Sequence, residues 1–401
     1  INEENLCYAG SQMQEGNILA NIVSMDPTGN TDPKIVKQSI VRLTLHEVGH
    51  TLGLNHNFKA SHLHDPVSVH DPLITQKSGV TASVMEYPAV NIAPLGVNQG
   101  DYYDVVTGAY DNWAIEFGYT PNLSEQERNQ ILFRSDEPEL IFGNDADDMR
   151  SPGRGIDPRA MTNDLTNDPI TYAVQRIELV NQTFKELPTK LEAKSWEEFV
   201  NAYQTLFRES GRSLQTVSRF VGGVYVNRST PDQGSELRPF EPVSEEIQKR
   251  AMQVLNDHAF SPSAFPINEE ILTLIQKERR GFDFYSEHED PQVHRNILSI
   301  QTSVLAHLLN GWTLDRMTDS SLYGNTYSVN QMLSDLTDSI FIEDANTSVS
   351  TIRQNLQTLY LRRLIKLVDD DSGYQMTSAA AYSSIRNIEK IAKRRSQDPE
   401  T

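Results

Sequence analysis

The chain contains a single cysteine, Cys7, so it cannot form an internal disulfide. A lone cysteine is compatible with a cytoplasmic protein or with a bacterial periplasmic one. The sequence also lacks any apolar run that approaches the roughly 20 residues needed to cross a bilayer. These absences exclude a disulfide-stabilised small scaffold and predict that no segment of the chain spans a membrane.

Positive charge is scarce, because 35 lysines and arginines face 55 aspartates and glutamates, for a net charge of −20. Nucleic acids and anionic membrane surfaces require clustered positive charge, so neither is expected as the main partner. The hydrophobic content of 38% and the charged content of 22% predict a packed core rather than global disorder. A length of 401 residues allows two or three domains, or one large domain with extensions.

The chain begins at Ile1, without an initiator methionine and without a recognisable signal peptide. We therefore expect a fragment or a processed product whose upstream part is missing.

The first hundred residues mix patterns that favour different structures. Residues 16 to 24, GNILANIVS, combine β-branched and polar residues and predict a strand. Asp32 and Pro33 then form a helix start, and apolar residues recur at helical spacing until Gly53, a natural helix stop. Residues 57 to 82 predict a loop, and residues 83 to 100 a second turn-rich region.

Beyond Gly108, long segments with helical periodicity dominate the sequence. They cover residues 124–135, 168–186, 195–218, 244–258, 268–278, 290–310, 328–340, 348–368 and 377–395. Residues 220 to 230, FVGGVYVNRST, are the one convincing β-like interruption. The chain is therefore predicted to be α+β and predominantly helical, with a metal-binding region at 1–120 and a mostly helical region at 121–401.

Residues 46 to 56, HEVGHTLGLNH, carry the pattern H-E-x-x-H-x-x-G-x-x-H. His46 and His50 are one helical turn apart, so both imidazoles can face one ion at about 2.0–2.1 Å. Gly53 permits the chain to turn back and bring His56 in as the third ligand, while Glu47 points away from the ligand face and can reach a water. The pattern predicts a zinc site.

The extended pattern is the zinc signature of metzincins, which the chain resembles. Residues 83 to 87, SVMEY, resemble the methionine-containing turn that lies beneath the three ligands in that class. By this resemblance Met85 forms the floor of the site. Tyr87 would be an additional, switchable zinc neighbour that stabilises the oxyanion during turnover.

The resemblance narrows to the C-terminal "Met-zincin" domain of large bacterial multidomain metalloproteases. It is carried by RLTLHEVGHTLGLNHNFKAS, SVMEYP, GAYDNWAIEFGY, FGNDADDMRSPGRG, VGGVYVNRS and IRQNLQTLYLRRL, which together span most of the chain. It implies upstream domains in the full-length protein, a secreted or periplasmic location, and a Zn²⁺-dependent endopeptidase acting on peptide or protein substrates. Strand 16–24 would then form the edge of the substrate cleft.

In the implied reaction Glu47 accepts a proton from a water activated by zinc and passes it to the leaving amine. The alternative is a catalytically silent zinc-fold protein that acts as a binding or scaffold protein of the bacterial envelope. A thermolysin-like site would instead take its third ligand from a later glutamate, such as those at 268–270.

Weaker patterns leave further alternatives open. His62, His64 and His70 could form a second metal site with nearby aspartates, or the loop could be held by hydrogen-bonded His-Asp-Pro turns. The acidic run 143–149 does not fit an EF-hand and is either a solvated loop or a calcium site. Because the family resemblance includes this run, the loop could also border the substrate site. Residues 109–119, AYDNWAIEFGY, predict core packing beneath the methionine turn rather than a cofactor box.

Overall fold

The computed structural model describes residues 8–25, 29–149, 155–191, 195–265, 267–277, 288–343, 348–369 and 378–393. Cys7 and part of the motif FGNDADDMRSPGRG lie outside these ranges. Within them, no helix is both long enough and apolar enough to cross a membrane.

Helices make up most of the described chain, which confirms the predominantly helical fold class. The α-helices are α1 (Ala9–Ser24), α2 (Lys34–Thr51), α3 (Pro72–Ser78), α4 (Ala109–Tyr119), α5 (Glu125–Leu132), α6 (Pro169–Lys190), α7 (Trp196–Ser218), α8 (Glu245–Leu255), α9 (Glu269–Leu272), α10 (Val293–Leu308), α11 (Gly311–Ser320), α12 (Val329–Thr337), α13 (Thr351–Val368) and α14 (Ser378–Ala392).

The described residues contain one small sheet. Strand β1 (Val224–Val226) pairs antiparallel with strand β2 (Phe240–Pro242), with Tyr225 opposite Glu241. The β-like stretch predicted at 220–230 is therefore a strand over three of its residues. The amide of Val224 also donates to the carbonyl of Ile156 at 2.8 Å.

The predicted strand at residues 16–24 is wrong, because this segment is the second half of helix α1. The buried side chains of α1 include Ala9, Met13 and Ala20, which recur at helical spacing and face the core. Contact with helix α2 along this face outweighs the local β preference of its β-branched residues. A cleft edge formed by a strand at 16–24 is therefore also excluded.

The other helix predictions differ from the structure mainly at their ends. Of the segment predicted at 268–278, the described part, 268–277, is helical over α9. The segments predicted at 244–258 and 328–340 continue past α8 and α12 as π-helical turns, Asn256–Phe260 and Asp338–Ile342. Ser124 caps α5 reciprocally with Glu127, as its spacing predicts. Short 3₁₀ turns cover Ala60–Leu63, Ser68–His70, Phe133–Asp136, Pro231–Gln233 and Ser321–Tyr323.

The chain divides into two compact units. Unit 1 comprises Ile1–Arg150, Arg159–Ser213 and Asn227–Pro239, and unit 2 comprises Ser151–Pro158, Leu214–Val226 and Phe240–Thr401. Both the histidine motif and the SVMEY segment belong to unit 1. The division into domains near residue 120 stays a prediction.

Candidate metal centre

Helix α2 positions the first two histidines of the motif. His46 and His50 lie in its last two turns, and the helix ends at Thr51. Gly53 has φ +86, a left-handed conformation that glycine adopts without a steric cost. The chain turns back at this residue, with the amide of Leu54 donating to the carbonyl of Gly49 at 3.1 Å, and then reaches His56.

The three imidazoles converge. Their ring centroids are 4.7 Å apart for His46 and His50, 4.9 Å for His50 and His56, and 5.5 Å for His46 and His56. One nitrogen from each ring lies within 4.8 Å of the others, and this is the one group of three potential metal ligands among the described residues. The group contains no carboxylate, so its third member is His56 and not a glutamate of 268–270.

Each histidine uses its other ring nitrogen to contact an oxygen acceptor. Nδ1 of His46 lies 2.7 Å from the carbonyl of Val84, and Nδ1 of His50 lies 3.0 Å from the carbonyl of Leu54. Nδ1 of His56 lies 2.8 Å from Oδ2 of Asp145. Because these contacts require Nδ1 to carry the proton, the lone pair of each Nε2 is available to a metal.

Met85 packs directly against the motif helix at Gly49. It is fully buried, and a Cβ built on Gly49 would lie only 2.4 Å from its sulfur. The glycine between the two helical histidines therefore allows this segment to approach the helix backbone. The place of Met85 as the methionine of a Met-turn stays a prediction.

A buried arginine connects the segment around Met85 to helix α2. Arg42, one turn before His46, donates from Nε to Oδ2 of Asp104 at 3.0 Å and from its terminal nitrogens to the carbonyls of Val84 and Glu86. The carbonyl of Val84 therefore accepts from both Arg42 and His46. These bonds hold the backbone on both sides of Met85 in register with α2.

Helix α4 supports the same segment through its first turn. Asp111 is buried and accepts hydrogen bonds from the hydroxyl of Ser83 at 2.6 Å and the amides of Val84 and Gly108 at 2.8 Å each. Burial raises the pKa of Asp111, and these three donors oppose the rise. The first turn of α4 is therefore bonded to the SVMEY segment through Asp111, whereas Trp113, Ile115 and Phe117 are half-buried rather than part of the core.

Tyr87 lies at the edge of the histidine triad. Its hydroxyl is 2.9 Å from Nε2 of His56, and the backbone amide of Tyr8 donates to the same hydroxyl at 3.1 Å. Its ring centroid is 5.4 Å from that of His46. Glu47, next to His46 on α2, is solvent-exposed.

Two buried titratable groups at the site have displaced pKa values. Burial lowers the pKa of His46 to about 3, and the nearby Arg42 adds to the shift, so this imidazole is neutral at pH 7. Burial raises the pKa of Glu86 well above its ordinary range, with the Asp164 carboxylate as a second cause. The carboxyl of Glu86 accepts from the amides of Tyr87 and Ser61.

The other histidines of the predicted second metal site are not brought together. His64 Nε2 is 2.9 Å from the carbonyl of Gly79, His62 Nε2 is 3.3 Å from Asp164, and His70 has neither ring nitrogen hydrogen-bonded. The two His-Asp-Pro triplets do form turns, since Asp65 accepts from the amide of Val67 and Asp71 caps helix α3. The hydrogen-bonded loop is therefore the alternative that these contacts support.

Sequence analysis missed two contributors to the site. Arg42 is a charged residue directly between the apolar residues Val41 and Leu43, and that position was the available signal. Asp145 belongs to the acidic run 143–149, for which a place near the site was considered but no partner was assigned.

These features define a helix-borne histidine triad of the kind that binds a metal ion. A comparison with protein families matches residues 28–348 to the family described as Met-zincin. The chain belongs to the Met-zincin family, whose description implies a zinc-binding fold. Searches among curated proteins and among solved structures found no match.

Proposed function

We propose that this protein is a zinc-dependent endopeptidase. The observation that carries the proposal is the histidine triad, in which every Nδ1 contacts an oxygen acceptor and the three rings converge. Three converging imidazoles on a preorganised framework suit Zn²⁺, which takes nitrogen ligands in tetrahedral sites and keeps a fourth position open in enzymes. Membership of the Met-zincin family supports the same conclusion.

His46, His50 and His56 would hold the ion through their Nε2 atoms. When bound, zinc would supply Lewis-acid chemistry and lower the pKa of a water to about 7. The neutral state of His46, enforced by its burial, suits it to act as a ligand without first losing a proton.

Glu47 would act as the general base. It follows His46 on α2 and is exposed to solvent, so it is next to the ligand face without belonging to the triad. Its carboxylate would take a proton from the attacking water and later deliver it to the leaving amine.

Tyr87 and Met85 would complete the site. The Tyr87 hydroxyl, 2.9 Å from Nε2 of His56, is close enough to donate a hydrogen bond to an oxyanion that develops beside the triad. Met85, buried against Gly49, would serve as the methionine of a Met-turn, with Arg42 fixing the carbonyls on either side of it.

A catalytically silent zinc-fold binding or scaffold protein of the bacterial envelope is the second candidate. The specific observation in its favour is helix α1, which occupies the position in the chain where a substrate-binding strand was expected. We further propose a periplasmic or secreted location, with upstream domains in the full-length protein.

A peptidase assay distinguishes the two candidate functions. Quenched-fluorescent peptides or casein would be incubated with the wild-type chain, with the chelator-treated chain, and with Glu47→Gln. We expect chelation to abolish cleavage and Glu47→Gln to lower turnover by about 10²- to 10⁴-fold, because a general base contributes that much, while the zinc content stays unchanged.

The matched control is Glu125→Gln, which neutralises an exposed carboxylate in the first turn of α5 and should leave turnover unaltered. Undiminished cleavage by Glu47→Gln would refute the assigned base. Stoichiometric zinc without chelator-sensitive cleavage would favour the scaffold instead.

A further inference from the structure

The acceptors of the three Nδ1 atoms are not equivalent. His46 and His50 contact backbone carbonyls, whereas His56 contacts the carboxylate of Asp145 at 2.8 Å. Asp145 lies far along the chain from the motif, so this contact depends on tertiary structure. Hydrogen bonds to a charged acceptor are in general stronger than neutral ones, and of the three orienting contacts that of His56 has the charged acceptor.

Hydrogen bonds between two chain segments place Asp145 beside His56. The residue after His56, Asn57, donates from its side chain to the carbonyl of Ile141 at 3.1 Å and accepts from the amide of Gly143 at 3.2 Å. The amide of Phe58 donates to the carbonyl of Gly143 at 2.7 Å. The Asn57 side chain and one backbone hydrogen bond therefore hold the segment that follows His56 to the acidic loop.

The acidic loop also has its own internal bracing. The amide of Asn144 donates to Oδ2 of Asp147 at 3.1 Å, and the amide of Ala146 donates to the side-chain oxygen of Asn144 at 3.0 Å. Asp147 in turn forms an ion pair with Arg228. Asp147 therefore braces the loop that carries Asp145, two residues earlier.

Resting on the zinc site of the proposed function, we propose that Asp145 is a positioning residue for the metal. Its carboxylate accepts a hydrogen bond from Nδ1–H of His56. This bond fixes the tautomer and the ring orientation that direct Nε2 toward the ion. The acidic run 143–149 is then a functional part of the metal centre through His56.

The exposure of Asp145 makes the proposal testable without unfolding the protein. Its side chain is 55% exposed, whereas that of His56 is 13% exposed. Removing a half-exposed carboxylate creates no cavity, so the metal-free variant should fold and melt like the wild type.

The test measures zinc affinity by competition with a chromophoric chelator, for the whole chain at one pH. We expect Asp145→Ala to weaken zinc binding by about 10- to 100-fold, the usual loss when the partner of a ligating histidine is removed. Asp145→Asn should lose less zinc affinity, because its side-chain oxygen still accepts a hydrogen bond from Nδ1–H but carries no charge.

Glu139→Ala is the matched control, because it removes an exposed carboxylate just before the loop and should leave zinc affinity unchanged. Asp145→Ala with wild-type affinity would overturn the positioning role and leave the proposed function standing. A lower melting temperature of the metal-free Asp145→Ala chain would instead assign a structural role and also overturn it. A wild-type chain that takes up no zinc would overturn both proposals.

Discussion

Two neighbouring stretches of unit 1 each contain three histidines and use them differently. In residues 46–56 the three rings converge, and two of them contact oxygens from distant parts of the chain, at Val84 and Asp145. In residues 57–82 the histidines face separate surroundings, and the aspartates beside them bond amides only two or three residues away.

The difference shows that hydrogen bonds within a turn do not by themselves orient histidines toward a common metal ion. An aspartate that caps its own turn stabilises a loop but orients no other side chain. A ligand histidine must be held against rotation, and the acceptor that holds it has to come from another segment if the helix itself offers none.

The largest expected effect contrasts one histidine from each stretch. His50→Ala removes a member of the converging triad, and the protein should lose stoichiometric zinc, as measured by elemental analysis after dialysis. His64→Ala removes a ring that contacts only the carbonyl of Gly79 and the hydroxyl of Ser78, so zinc content should remain that of the wild type. Loss of zinc in His64→Ala would contradict the conclusion that zinc binding depends on the histidines of residues 46–56 and not on those of residues 57–82.

A smaller effect is expected from removing the hydrogen bonds that Arg42 forms with distant segments of the same chain. Arg42→Met should lower the free energy of unfolding by about 3–5 kcal/mol, since Asp104 is left as a buried charge without its cationic partner. Urea denaturation of the metal-free protein measures this change.

The control is Arg212→Met, whose ion pair with Glu15 is 33% and 43% exposed on its two sides. Exposed pairs contribute at most about 1 kcal/mol, so this variant should be nearly as stable as the wild type. Equal losses for the two variants would contradict the importance assigned to the buried network.

The smallest expected effect concerns residues 57–82 and is a change in the free energy of unfolding that is visible only at acidic pH. Burial, followed by the charge of Arg176, lowers the pKa of His70 to about 4, below the value of 6.5 of an unperturbed histidine. The unfolded chain therefore binds a proton that the folded chain excludes between these values, and stability falls as the pH drops through this window. At pH 5 the loss from this group is about 2 kcal/mol.

His70→Leu should remove that contribution, and urea denaturation at pH 7 and pH 5 would show a smaller acid loss than in the wild type. All other titrating groups are common to both chains and cancel in the difference. His288→Leu, which replaces an exposed histidine, should retain the full loss. An unchanged acid loss in His70→Leu would rule out this source.

Short-range patterns in the sequence were enough to predict helix α2, its stop at Gly53 and most of the helices that follow. They were misleading at residues 16–24, where Ile18, Ile22 and Val23 favour a strand in isolation but the segment packs as a helix. They also predicted a helix over 268–278, of which the described part, 268–277, is helical from Glu269 to Leu272. At residues 16–24, tertiary contact with α2 outweighed the local preference.

The sequence by itself determined the candidate ligands, because the helical repeat places His46 and His50 on one face and a glycine allows the return to His56. Only the tertiary structure decided what holds those ligands. Arg42 meets Val84, and Asp145 meets His56, through packing of segments that are distant along the chain. Such contacts follow no local period, since their geometry exists only after the intervening chain has folded.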